Sequence, residues 1–104
     1  MADIITVDEK NYTLKYNEQV IETIEAITGK GFMEILIDKK PVLALADLKQ
    51  YISNALYSEE GGKIPQVQGV KIYEALLHSK GYMFLNMLVI ESIQRDCPFF
   101  FLAN

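Results

Sequence analysis

His78 is the only histidine of this chain and Cys97 its only cysteine. They are the residues by which proton transfer or covalent chemistry at neutral pH would be done, one as a general base and the other as a thiolate nucleophile. Neither has the company such chemistry needs. The one hydroxyl next to His78 belongs to Ser79, which on a helix points to a different side. A histidine near a helix C-terminus is also favoured there by the helix dipole alone. Cys97 sits between Asp96 and Pro98, with Arg95 the one nearby cation that would lower its pKa. Nothing in the sequence brings the pair together. A single cysteine excludes an internal disulfide, and one Cys with one His is too few for a zinc cluster. Glu18, Glu22 and Glu25 recur at i, i+4 and i+7, the spacing of a solvated helix face. The segment Glu59-Glu60-Gly61-Gly62-Lys63 lacks both the phosphate-cradling Gly-x-x-x-x-Gly-Lys-Ser/Thr pattern and the three-glycine dinucleotide fingerprint, and reads as a loop. The expectation is a protein with no catalytic residues, no cofactor and no metal.

The chemistry the chain does offer is apolar. An almost unbroken run, Tyr82-Met83-Phe84-Leu85-Asn86-Met87-Leu88-Val89-Ile90, is followed by Cys97-Pro98-Phe99-Phe100-Phe101-Leu102. A small domain can bury one such helix, but the aromatic tail has no obvious place inside a monomer. Two fates are open to it: folding back into a groove between helices, or exposure and burial against another subunit. Tyr51, Tyr57, Tyr73 and Tyr82 combine a large apolar area with a polar tip, as interface residues do, and are equally suited to half-buried core positions. Met33, Met83 and Met87 fit an adaptable binding surface or gap-filling core. The expected protein-binding set is Tyr82, Phe84, Met87, Phe99, Phe100, Phe101 and Leu102.

A chain of 104 residues supports one domain with a single core. Half of its residues are apolar, which argues against disorder. Ten Lys and Arg stand against fourteen Asp and Glu, a net charge of -4. The longest basic run is Lys39-Lys40, so neutralising a row of phosphates is beyond it and no nucleic-acid partner is expected. The Tyr82 to Ile90 run is less than half the roughly 20 residues a membrane span requires, so no membrane partner is expected either. The N-terminal Met1-Ala2-Asp3-Ile4-Ile5 lacks a basic n-region and apolar core, which with one cysteine favours a reducing cytoplasm.

The elements that would position these residues are legible as an α+β, mainly α architecture: an N-terminal β-hairpin packed on four or five helices. Within a single domain, 1–104, the hairpin spans 3–16, the helical body 17–96 and the apolar tail 97–104. Ile4 to Val7 and Tyr12 to Tyr16 are strands about a four-residue connection, Asp8-Glu9-Lys10-Asn11, with Ile5, Val7, Tyr12, Leu14 and Tyr16 on the face to be covered. Asn17 caps a helix carrying Val20, Ile21, Ile24 and Ile27, and Gly29 stops it. Gly31 to Ile37 reads as a short helix. Asp38-Lys39-Lys40-Pro41 opens another, with Leu45, Leu48, Ile52, Ala55 and Leu56 at helical spacing to about Tyr57. Ser58 to Lys63 is a candidate mobile loop. A helix from Pro65 uses Val70, Tyr73, Leu76 and Leu77 and ends near Gly81, although Gly69 weakens its start. A last helix runs from Tyr82 to Arg95 and stops before Pro98.

The hairpin Ile4-Ile5-Thr6-Val7 and Tyr12-Thr13-Leu14-Lys15-Tyr16, the immediate helix from Asn17 to Thr28, and the helix with Leu45-Ala46-Asp47-Leu48 running to Ile52-Ser53-Asn54-Ala55-Leu56 give an order of elements that resembles the tail assembly chaperones of long-tailed phages infecting Gram-positive bacteria. The resemblance covers about the first sixty residues and continues by helix order alone. It implies a small non-enzymatic protein of the bacterial host cytoplasm, absent from the mature virion. Such a protein coats the tape measure protein and recruits tail tube protein as a homo-oligomer. It also implies a longer, frameshifted form of the chain, and Phe99-Phe100-Phe101 is compatible with a slippery run of U. Tyr82 to Asn104 matches no family residue one by one. Two other classes compete with this reading. One is an acidic homodimeric adaptor or secretion-type chaperone of a bacterial cell. The other is a small enzyme or ligand-binding domain resting on His78 and Cys97.

Overall fold

Asp8 and Glu9 both adopt left-handed backbone conformations, with φ of 51° and 65°. Two consecutive residues of that kind make the two-residue turn whose twist matches that of the flanking strands. The turn therefore closes between Val7 and Lys10, and β1 (Ile4–Val7) pairs antiparallel with β2 (Lys10–Leu14) in the register Ile5 to Tyr12. The expected four-residue connection is thus two residues long, and Lys10 and Asn11 belong to the strand. The structure is a computed structural model that describes residues 4–37 and 42–102.

The period-2 face of the hairpin is buried as expected: Ile5, Tyr12, Leu14 and Tyr16 are all core residues, and Val7 packs at its margin. A third strand, absent from the sequence expectation, completes the sheet. β3 (Leu56–Ser58) pairs antiparallel with β2, Leu14 opposite Leu56, giving the order β1-β2-β3.

α1 (Glu18–Thr28) begins and ends where its capping residues dictate. The Asn17 Oδ1 accepts from the Val20 N–H at 2.9 Å, and Gly29 closes the helix in the left-handed region at φ 75°. Its buried stripe is Val20, Ile21 and Ile24; Ile27 is exposed, so the stripe stops before the helix does. Glu25 also leaves the solvated face expected of it. Its carboxylate accepts from the Phe32 N–H at 2.8 Å, at the start of α2 (Phe32–Leu36). The proposed opening Asp38-Lys39-Lys40-Pro41 lies outside the described residues. α3 (Leu45–Ser53) starts later than expected and stops four residues short of Tyr57. At its end the Asn54 amide donates back to the Gln50 carbonyl at 2.9 Å, which turns the chain so that Ala55 and Leu56 enter the sheet edge. Ser58 to Lys63 is a closed turn. Ser58 N–H donates to the Gly62 carbonyl at 2.7 Å, Gly61 N–H returns to Ser58 at 2.9 Å, and Lys63 bridges to Tyr57.

α4 (Gln66–Lys80) and α5 (Tyr82–Asp96) meet at Gly81, whose φ of 92° breaks one helix and starts the next. Gly69 lies inside α4 and has a packing reason to be glycine. It is where α3 crosses it, and a Cβ there would lie 2.6 Å from the Ser53 carbonyl oxygen. The core runs from Leu14 through Ile24, Leu48, Ile52 and Leu76 to Leu85, Val89 and Ile93, joining sheet and helices in one cluster. The fold is α+β and mainly α, with a small antiparallel sheet against five α-helices among the described residues. No helix among the described residues is long and apolar enough to cross a membrane.

Candidate protein-binding face

The residues first considered for chemistry are kept apart. His78 is exposed on the last turn of α4, next to the start of α5, while Cys97 follows the far end of α5. Fifteen residues of helix separate the two positions, on the order of 20 Å. Cys97 is fully buried, and burial pushes its thiol pKa up, with Asp96 and Glu18 adding to the effect. It is therefore a protonated core thiol. Among the described residues no group of three or more His, Cys, Asp or Glu could hold a metal ion.

α5 places its apolar residues on two sides. Leu85, Val89 and Ile93, at i, i+4 and i+8, fill the core. Met83, Phe84 and Met87 fall together on the opposite side, within about a third of the helix circumference, and are 57%, 49% and 58% exposed. A run this apolar cannot turn all its residues inward when the domain packs only one side of the helix.

Asn86, which the sequence reading passed over as a break in the apolar run, is the residue that shapes this face. It is buried, and its Oδ1 accepts from the Leu43 N–H at 2.6 Å while its Nδ2 donates to the Tyr82 carbonyl at 3.0 Å. The Tyr82 hydroxyl donates to the Leu43 carbonyl. Both backbone groups of Leu43 are thus paired to α5, as a buried extended segment requires. The clamp sets Val42 beside Met83, Met87 and Ile90, and with Asn86 and Glu91 they line a groove of about 260 Å³. The detectable signal was a lone amide in an otherwise apolar helix, which must be partnered if buried.

The tail is divided between the two fates considered for it. Pro98–Phe101 forms a single 3-10 turn that brings Phe100 and Phe101 onto the fully buried Phe32, with ring centroids 5.0 and 6.5 Å away. These two residues take the first of those fates, folding back onto the body of the protein, with α2 supplying the pocket wall. Phe99 and Leu102 stay exposed, Leu102 at 73%. Of the expected binding set, Phe84, Met87, Phe99 and Leu102 present surface, Tyr82 is half-buried with its hydroxyl engaged, and Phe100 and Phe101 are half-buried packing. Tyr51 and Tyr73 are core residues, whereas Tyr57 stays half-exposed on β3.

Compared with family models, with curated proteins and with solved structures, the chain matches none. The functional reading therefore rests on the residues themselves.

Proposed function

We propose that this chain is a non-enzymatic tail assembly chaperone, which holds an apolar helical segment of the tape measure protein and recruits tail tube protein to it. The observation that carries this reading is the outward side of α5: three large flexible or aromatic side chains, Met83, Phe84 and Met87, exposed beside the groove that Val42 closes. An amphipathic helix lays its i, i+3, i+4 anchors into a surface of this kind, and unbranched methionines adapt to clients of varied sequence. The net charge of -4 keeps a protein with such a surface soluble before it meets its client. In this reading the chain acts as a homo-oligomer together with its longer frameshifted form, in the host cytoplasm, and leaves before the virion matures.

The test is co-expression with a tape measure protein, the client this reading requires. The client is expected to stay soluble and co-purify with the parent chain, and to aggregate with the Met83→Lys, Met87→Lys double variant. Both substitutions are at exposed positions, so each should change folding stability by no more than about 0.5 kcal/mol. A client that is equally soluble alone, or bound as well by the double variant, overturns the reading.

A further inference from the structure

The sheet has a second side. Alternation turns Ile5, Tyr12, Leu14 and Leu56 into the core and leaves Thr13, Lys15 and Tyr57 on the outer face, with Lys63 bridged beside Tyr57. The Lys15 ammonium lies 5.1 Å from the centroid of the Tyr57 ring and the Lys63 ammonium 6.0 Å from it. Both lysines are exposed, and neither makes an ion pair among the described residues.

In a chain that is acidic overall, this is a local reversal of sign. The carboxylate nearest to it is already engaged: Asp96 accepts from the Tyr16 N–H at 2.9 Å and from Arg95 at 2.7 Å. Glu18 opens α1 nearby, and Glu59, which shares a further depression with Lys15, is held by the Asn11 amide at 3.2 Å. Two shallow depressions, of about 540 and 270 Å³, meet at Tyr57 and Asn17. Lys15 lines the larger, together with Arg95 and Asp96, and Lys63 lines the smaller.

We propose that this face docks an acidic, extended segment of a partner protein, with carboxylates reaching Lys15 and Lys63 across the Tyr57 ring. Both ammonium groups lie within 6.0 Å of the same ring. Two carboxylates on the same side of an extended strand, roughly 7 Å apart at i and i+2, can each reach an ammonium held near this one ring. Lys15 feels the charge of Asp96, but neither ammonium is in an ion pair among the described residues, so an incoming carboxylate has no partner to displace at either. The inference does not depend on α5, and the two surfaces are tested by different variants.

The probe is a short fluorescein-labelled peptide of alternating Glu and Ser, titrated by anisotropy against the full chain at low ionic strength. Binding is expected to weaken with added salt and to weaken about tenfold in the Lys15→Gln, Lys63→Gln double variant. The Lys15→Arg, Lys63→Arg variant should retain it. Lys49→Gln with Lys71→Gln, which removes the same charge from the helices, should also leave it unchanged. Absence of binding, or an equal loss in the helix variant, overturns the proposal. So does a single-stranded DNA oligonucleotide of equal charge that binds more tightly than the peptide through the same lysines. Light scattering covers the remaining occupant: if the parent self-associates and the sheet variant does not, the face binds a second copy and the proposal fails.

Discussion

Replacing Gly69 by Ala sets two effects of known size against each other. In an exposed helix interior the change stabilises by about 1 kcal/mol, because alanine loses less backbone freedom on folding. In this structure the added Cβ would meet the Ser53 carbonyl oxygen at 2.6 Å and the Ser53 Cα at 3.0 Å. Both are backbone atoms at the end of α3, so no side chain can swing aside to make room. The helices must separate by nearly an ångström, and overpacking of this kind costs about 1–3 kcal/mol. With a backbone wall the upper part of that range applies, leaving a net loss of about 2 kcal/mol. The corresponding fall in melting temperature is about 10 °C for a domain of this size. Urea denaturation followed by circular dichroism should show a lower midpoint with an unchanged slope. Ala75→Gly, at an exposed position of the same helix, measures the propensity contribution separately and should cost about 1 kcal/mol. A Gly69→Ala protein as stable as the parent, or more so, would refute the close crossing of α3 on α4.

Three further outcomes follow from buried polar groups. The Tyr16 hydroxyl donates to the Tyr51 carbonyl at 2.6 Å, satisfying a carbonyl in the last turn of α3, so Tyr16→Phe should cost about 1–3 kcal/mol in the same urea titration. Burial works to raise the Asp96 pKa, but hydrogen bonds from Arg95 and the Tyr16 N–H, with the charges of Arg95 and Lys15, outweigh it and hold the carboxyl below its usual value. A depressed carboxylate stabilises the fold above its unfolded pKa, and that stability is lost as pH falls through the folded value. Asp96→Asn should therefore be less stable than the parent near neutrality, and the difference should begin to shrink only as pH falls below about 4. The Cys97 thiol, raised in pKa by burial and then by Asp96 and Glu18, should react with an aromatic disulfide reagent at least about a hundredfold more slowly in the native chain than in urea.

The parts of this fold legible in the sequence are those fixed by local signals. Asn17 and Gly29 mark both ends of α1 because capping acts within one turn. The inward face of the hairpin follows from alternation alone. Its turn length does not, because Asp8-Glu9 lacks the glycine that usually announces a left-handed pair. β3 was hidden for a related reason: Leu56 continues the helical spacing of Leu48 and Ile52, and what makes it a strand is its pairing with Leu14, far back in the chain. The same holds at the candidate site. Spacing tells which residues of α5 share a side, but which side stays uncovered depends on the clamp between Asn86 and Leu43. The outer sheet lysines carried no sequence signal, since Lys15 and Lys63 are distant in sequence and meet only across Tyr57.

The aromatic tail shows why a surface must be tested by substitution and not by removal. Deleting Phe100 and Phe101 would uncover Phe32, which has no exposure at all and also packs on Tyr51. Loss of assembly in a truncated chain would then report a damaged core as readily as a missing contact. Phe99→Ser with Leu102→Ser leaves the two packed rings in place and changes the exposed pair alone. Phe99 still touches the Phe100 ring at 4.7 Å, so a cost of about 1 kcal/mol is expected from that contact and little from Leu102. If the tail joins subunits, light scattering should show the oligomer of the parent dissociating in this double variant while its melting curve stays cooperative. An oligomer of unchanged mass would place self-association on another surface and leave Phe99 and Leu102 for a client.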